Sequence, residues 1–209
     1  MKAVQTAAIK LLTDDDDQTA SIAANILHKI PPMDRNSELA LAWSKASVHF
    51  IKEQAPILAG YYGTEHDRTA WIGFLATETD PETVGGLHTG LAKMGAEPSR
   101  EWFLVKLLAV KGQPTELWID RSVYMAESWV VPSLVKMLDR NDAAYTVSAD
   151  HSPEIIRVQD LAAYAILTIL KPLPGDATKT VPAPVAKRRY LPEEINEVRG
   201  IARAHAEKK

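Results

Sequence analysis

A chain of 209 residues, 46% hydrophobic and 24% charged, is long enough to bury a sizeable core and has the composition of an ordinary globular protein. Its net charge of -3 lacks the basic field needed to neutralise nucleic-acid phosphates, and with no cysteine it has no disulfide framework, thiolate chemistry or cysteine-based zinc site. No apolar run approaches the roughly 18 residues of a membrane-spanning helix, and the opening MKAVQTAAIKLLTDDDD has no sustained signal-peptide core, so a cytoplasmic location is expected.

Taken in order, residues 2 to 30 form a helical hairpin in which Ile22, Ala23, Ile26, Leu27 and Ile30 are spaced as one buried stripe. Asp14 to Asp17 stand between the two helices as loop and N-cap; they lack the glycine and distal glutamate of a calcium loop. Pro31-Pro32 closes the hairpin, and Ser37-Glu38 opens a long helix running to Ile51. Beyond it Pro56, Gly60 and Gly63 predict a short or broken partner. Asp67 is expected to cap a helix over 67–79, followed by a second over 81–95 with Pro81 at its first position, Glu82 in its first turn and Gly95 at its end. Gly85, Gly86 and Gly90 lie inside that second helix, each costing about 1 kcal/mol against alanine, which calls for close backbone packing or local looseness.

Pro98 to Val110 is amphipathic, with Trp102, Phe103, Val105, Leu107 and Leu108, and Pro114 to Ala126 supplies its partner. The last hairpin pairs Val130–Leu138 with a helix over Ile155–Leu170, started by Ser152-Pro153-Glu154 and separated from the first by a polar loop over 140–152. Val158, Leu161, Ala162, Ala165, Ile166 and Ile169 give that second helix one buried stripe. Residues 172–189 then read as a proline-rich linker ending in the basic Lys187-Arg188-Arg189, and 190–209 as a short amphipathic helix that either docks as a cap or stays tethered for another chain.

Two hairpins share one design: IKLLTD (9–14) matches VKMLDR (135–140), and SIAANIL (21–27) matches DLAAYAIL (160–167). With VPSLVKMLD as first helix and RVQDLAAYAIL as second, the stretch from Trp129 to Lys171 resembles a HEAT repeat of the bacterial HEAT-like type. The resemblance implies an all-α, right-handed α-solenoid of about five stacked antiparallel hairpins over residues 1–171, without a sheet. In such stacks Asp139 and the Arg157/Asp160 pair would occupy the polar positions that link neighbouring units.

Nothing in the sequence assembles a catalytic centre. GxSxG, HExxH, GxxxxGK[ST] and GxGxxG are absent, the six histidines are scattered without an i, i+4 pair, and GGLHTG (85–90) sits in a helical pattern rather than after a strand. The expectation is a non-enzymatic scaffold with no catalytic residue, metal or cofactor. Aligning the second helices places Asn25, Thr89 and Tyr164 at one outward position and Lys29, Lys93 and Thr168 one turn on, a face expected to bind a protein partner together with the 140–152 loop. Tyr164 is the expected anchor of that face, and the five tryptophans are expected mostly in the core. Two HEAT-like enzyme families offer the alternative. An alkylpurine DNA glycosylase needs a basic channel that the acidic balance opposes, and no residue here specifically supports a bilin lyase. A third reading is an accessory domain of a larger complex.

Overall fold

The structure is a computed structural model that describes residues 2–30, 38–45, 49–62, 65–149, 152–170 and 186–207. Pro31-Pro32, Gly63 and the proline-rich stretch over 171–185 lie outside the described residues. The chain forms two compact units, Met1–Phe103 and Leu104–Lys209.

The N-terminal unit is helical throughout its described residues: α1 (Lys2–Leu11), α2 (Asp17–Lys29), α3 (Glu38–Lys45), α4 (His49–Tyr62), α5 (Glu65–Leu75), α6 (Pro81–Lys93) and the first part of α7 (Glu97–Ala109). Local signals set several of the ends. Asp16 caps α2 by accepting from Thr19 N–H (2.8 Å), Asp80 caps α6 by accepting from Thr83 N–H (2.8 Å), and Gly95 takes φ +88° just past α6. α4 runs unbroken through Pro56, so the expected short partner helix is instead the second half of a longer one. Asp67, expected as a cap, is the third residue of α5 and is buried.

Packing in this unit follows a simple order: α1 lies against α2 and α3, α2 against α4, α3 against α4 and α5, and α4 and α5 against α6. Trp43 on α3 is buried in the core, stacked on Phe74 (4.3 Å between centroids) and meeting Trp71 edge-on (5.9 Å). Its indole N–H donates to the Lys52 carbonyl on α4 (2.9 Å), which satisfies the polar edge of a buried ring. The glycines of α6 are explained by approach to α4. A Cβ on Gly86 would overlap the Glu53 carbonyl and one on Gly90 the Pro56 carbonyl, so the α4 backbone comes close to α6 where α6 carries no side chain.

The C-terminal unit holds the rest of α7, then α8 (Pro114–Met125), a 3₁₀ turn (Ser128–Val130) leading into α9 (Val131–Met137), β1 (Ala143–Ala149), β2 (Ser152–Arg157), α10 (Val158–Leu170) and α11 (Pro192–Glu207). The expected stripe on α10 is present, with Val158, Leu161, Ala162, Ala165 and Ile166 buried. Two expectations fail here. The 140–152 loop and the Ser152-Pro153-Glu154 helix start are replaced by an antiparallel β-hairpin pairing Tyr145 with Ile156, Thr146 with Ile155 and Ser148 with Pro153, with a bulge at Ala144. Tyr145, Val147, Ile155 and Ile156 are strand formers, and Ile156 enters the core while β1 packs on α8. The chain is thus mostly helical, but not free of sheet.

Residues 186–189, assigned to the linker by composition, are part of this unit. Asp160, fully buried on α10, accepts from the Arg157 backbone N–H (2.8 Å), Arg157 Nε (2.8 Å), Arg157 Nη2 (2.7 Å) and the Tyr190 N–H (2.9 Å). Arg157 Nη2 also donates to the Tyr190 carbonyl (2.7 Å), so both backbone groups of Tyr190 are gripped by one ion pair. Burial pushes the Tyr190 phenol up to about 12, and its hydroxyl donates to the Ala186 carbonyl. Lys187 reaches Glu116 and Asp120 on α8 (2.9 and 2.8 Å), and Arg188 forks onto Glu194 (2.6 and 3.0 Å). Glu194 repeats the Asp160 arrangement: it also accepts from the N–H of Leu191, the residue before its helix (2.7 Å), and the Arg188 guanidinium holds its carboxyl below the usual range. Asp139 pairs with Arg199 on α11 (2.6 Å). The polar positions expected to join hairpins therefore join the last hairpin to α11, the docked alternative for the C-terminal helix.

Candidate functional site

Of the six residues expected on one partner-binding face, two are fully exposed and four are buried or half-buried. Thr89 is buried, its hydroxyl donating to the Gly85 carbonyl (2.7 Å), because α6 is enclosed on most sides and the glycines that admit α4 lie within a turn of Thr89. Lys93 is half-buried with its ammonium over the Tyr61 ring (5.6 Å). Tyr164 is half-buried too, and Lys187, held by Glu116 and Asp120, sits 5.8 Å from its ring centroid. The Thr168 hydroxyl turns back to the Tyr164 carbonyl (2.8 Å), as a helical threonine does when it has no outside partner. Tyr164 is therefore partly covered, with the Lys187 ammonium on its ring side. Only Asn25 and Lys29, both on α2, are fully exposed.

The expected stripe on α2 holds in part: Ala23 and Leu27 are buried and Ile30 packs against the core, but Ile22 and Ile26 do not join them. The buried residues of the helix are Ala20, Ala23, Ala24 and Leu27, while Ile22 and Ile26 are 52% and 36% exposed. The helix is apolar on two sides. Its alanine side lets it approach its neighbours closely, and the isoleucines, one turn apart, point away with Asn25 and Lys29 beside them. On α1 and just after it, Ala8, Ile9 and Leu12 are buried, whereas Val4 and Leu11, seven residues apart, are 50% and 42% exposed. One hairpin thus displays four large apolar side chains that its own unit does not use. The signal was in the sequence, since a helix with alanines at i, i+3 and i+4 offers a second, smaller stripe, but periodicity alone does not rank two apolar stripes.

Charge is divided along this hairpin. The turn carries Asp14, Asp15, Asp16 and Asp17, of which Asp16 is engaged in the cap, its carboxyl held below the usual range by the Thr19 hydroxyl, and Asp14 accepts from the Asp16 N–H (3.0 Å). The far end of α2 carries His28 and Lys29. His28 meets Gln54 on α4 (3.1 Å).

Among the described residues no set of three His, Asp or Glu side chains is placed to hold a metal ion, and His88, at hydrogen-bond distance from Ser99 Oγ (3.1 Å), is stacked on Trp102 (4.0 Å). Two of the five tryptophans, Trp43 and Trp71, are buried, and Trp102, Trp118 and Trp129 are half-buried. Among the described residues no helix is long and apolar enough to cross a membrane. No protein-family model and no curated protein matches the chain.

Proposed function

We propose that this chain is a non-catalytic helical-repeat module of the HEAT-like type that binds another protein chain through the outward face of α2. The packing order supports the repeat architecture: α1, α3 and α5 contact one another in succession, as do α2, α4 and α6, the pattern of stacked hairpins. One observation carries the binding role. Ile22 and Ile26 stand open on one face of α2, flanked along one side by the exposed amide of Asn25 and the exposed ammonium of Lys29. The partner-binding surface is narrower than the aligned second helices suggested, with Asn25 and Lys29 kept and Thr89, Lys93, Tyr164 and Thr168 left out as buried or half-buried.

The test is capture of partners from the source cell by tagged chain, compared with an Ile22→Asp/Ile26→Asp variant. Both substitutions fall on exposed positions, so circular dichroism should show unchanged helix content. Capture should weaken by on the order of 2 kcal/mol or more, the range of a central apolar anchor pair. Equal capture by the variant would place the binding surface elsewhere.

A further inference from the structure

We propose that the partner of the α1–α2 face is a second copy of this chain, docked with its own α1–α2 hairpin reversed across a two-fold axis. The inference rests on the functional reading above and names its partner. Three observations carry it.

First, α1–α2 stands at the end of the packing order. Within the described residues of its own unit, its main contacts outside the hairpin are to α3 and α4. Repeat arrays end in units whose outer face is polar, and α11 follows that rule in the C-terminal unit, exposing Glu193, Asn196, Arg203 and Glu207. α1 and α2 instead leave Val4, Leu11, Ile22 and Ile26 exposed.

Second, the apolar residues are placed for self-pairing. Ile22 and Ile26 flank the middle of the 13-residue α2, so two copies laid antiparallel bring Ile22 of each against Ile26 of the other.

Third, the charges are self-complementary only in that orientation. Four aspartates crowd the turn end, and Lys29 marks the other; burial beside α4 pushes the neighbouring His28 imidazole down, so the positive charge there is that of Lys29. Asp15 and Lys29 are exposed and have no ion-pair partner among the described residues. Reversal brings the acidic turn of each copy to the basic end of its mate, whereas a parallel arrangement would set acid against acid and base against base. A foreign partner would need an acid and a base at matching ends; the chain already possesses both.

Sedimentation equilibrium on the purified full chain tests this. The wild-type chain should be a dimer at micromolar concentration, and Ile22→Asp should be a monomer. Asp15→Lys and Lys29→Asp should each raise the dimer dissociation constant by about tenfold, since each dimer would then hold two repulsive contacts. Mixed one to one, those two variants should recover wild-type affinity as a heterodimer, because both contacts become attractive again; this arm stands even if Ile22→Asp folds poorly. A wild-type chain that stays monomeric overturns the second copy as partner, while loss of cellular capture on altering Ile22 and Ile26 would leave the binding face itself intact. Dimers that survive Ile22→Asp, or single charge variants whose mixture fails to recover, overturn the pairing proposed.

Discussion

Asp160→Ala should destabilise the C-terminal unit by about 3 to 5 kcal/mol, the cost of removing one partner from a buried, fully satisfied ion pair. Asp160 accepts four hydrogen bonds, two on each oxygen. Alanine would leave the Arg157 guanidinium with the Tyr190 carbonyl and Asn141, and would strip acceptors from the Arg157 and Tyr190 N–H groups. A net stability of roughly 5 to 15 kcal/mol is usual for a domain, so this is a large fraction of the total. Amide exchange in α10 and α11 reports this unit alone, and both helices should lose protection together because the clasp joins them. Asp139→Ala is the control. It breaks an ion pair of similar length with Arg199, but the Asp139 side chain is 74% exposed, so the loss should be under about 1 kcal/mol. Equal effects from the two variants would show that burial of Asp160 does not matter.

Gly90→Ala should destabilise the N-terminal unit, and Gly73→Ala should stabilise it. Both glycines lie within helices, where alanine gains about 1 kcal/mol in propensity. At Gly73 on α5 an added Cβ meets nothing within 4 Å, so that gain stands alone. At Gly90 the Cβ would strike the Pro56 carbonyl, a backbone atom that moves only if α4 moves. Overpacking of this kind costs typically about 1 to 3 kcal/mol and occasionally more, enough to outweigh the propensity gain. Opposite shifts in melting temperature are therefore expected from two identical substitutions. A stabilising Gly90→Ala would mean that α4 and α6 lie farther apart than described.

Much of the helical layout was legible because its signals are local. Asp16, Pro81 and Gly95 act at the ends they predict, and all of the α10 stripe but the half-buried Ile169 is buried as spaced. The failures share a different cause. Tyr145, Val147, Ile155 and Ile156 form strands through cross-strand pairing, which a short segment does not announce, and Ser152-Pro153-Glu154 fits a helix start equally well. Thr89 was turned outward by aligning helices as equivalent, although the neighbouring glycines mark the side of close approach. The Arg157/Asp160 pair was recognised as a link, but its target, the backbone of Tyr190, is 30 residues away from Asp160 and reached only in the fold. On α2 the sequence offered two apolar stripes, and packing against α1 and α4 selected the smaller one for the core.

The central claim is that the α2 face, not the Tyr164 face, meets another protein chain. The most direct measurement is photo-cross-linking in the source cell from a benzophenone side chain placed at position 22 and, separately, at position 164. The account predicts a discrete protein adduct from position 22 and none from position 164, where the side chain is partly covered, with the Lys187 ammonium on its ring side. An adduct from position 164 with none from position 22 would contradict it.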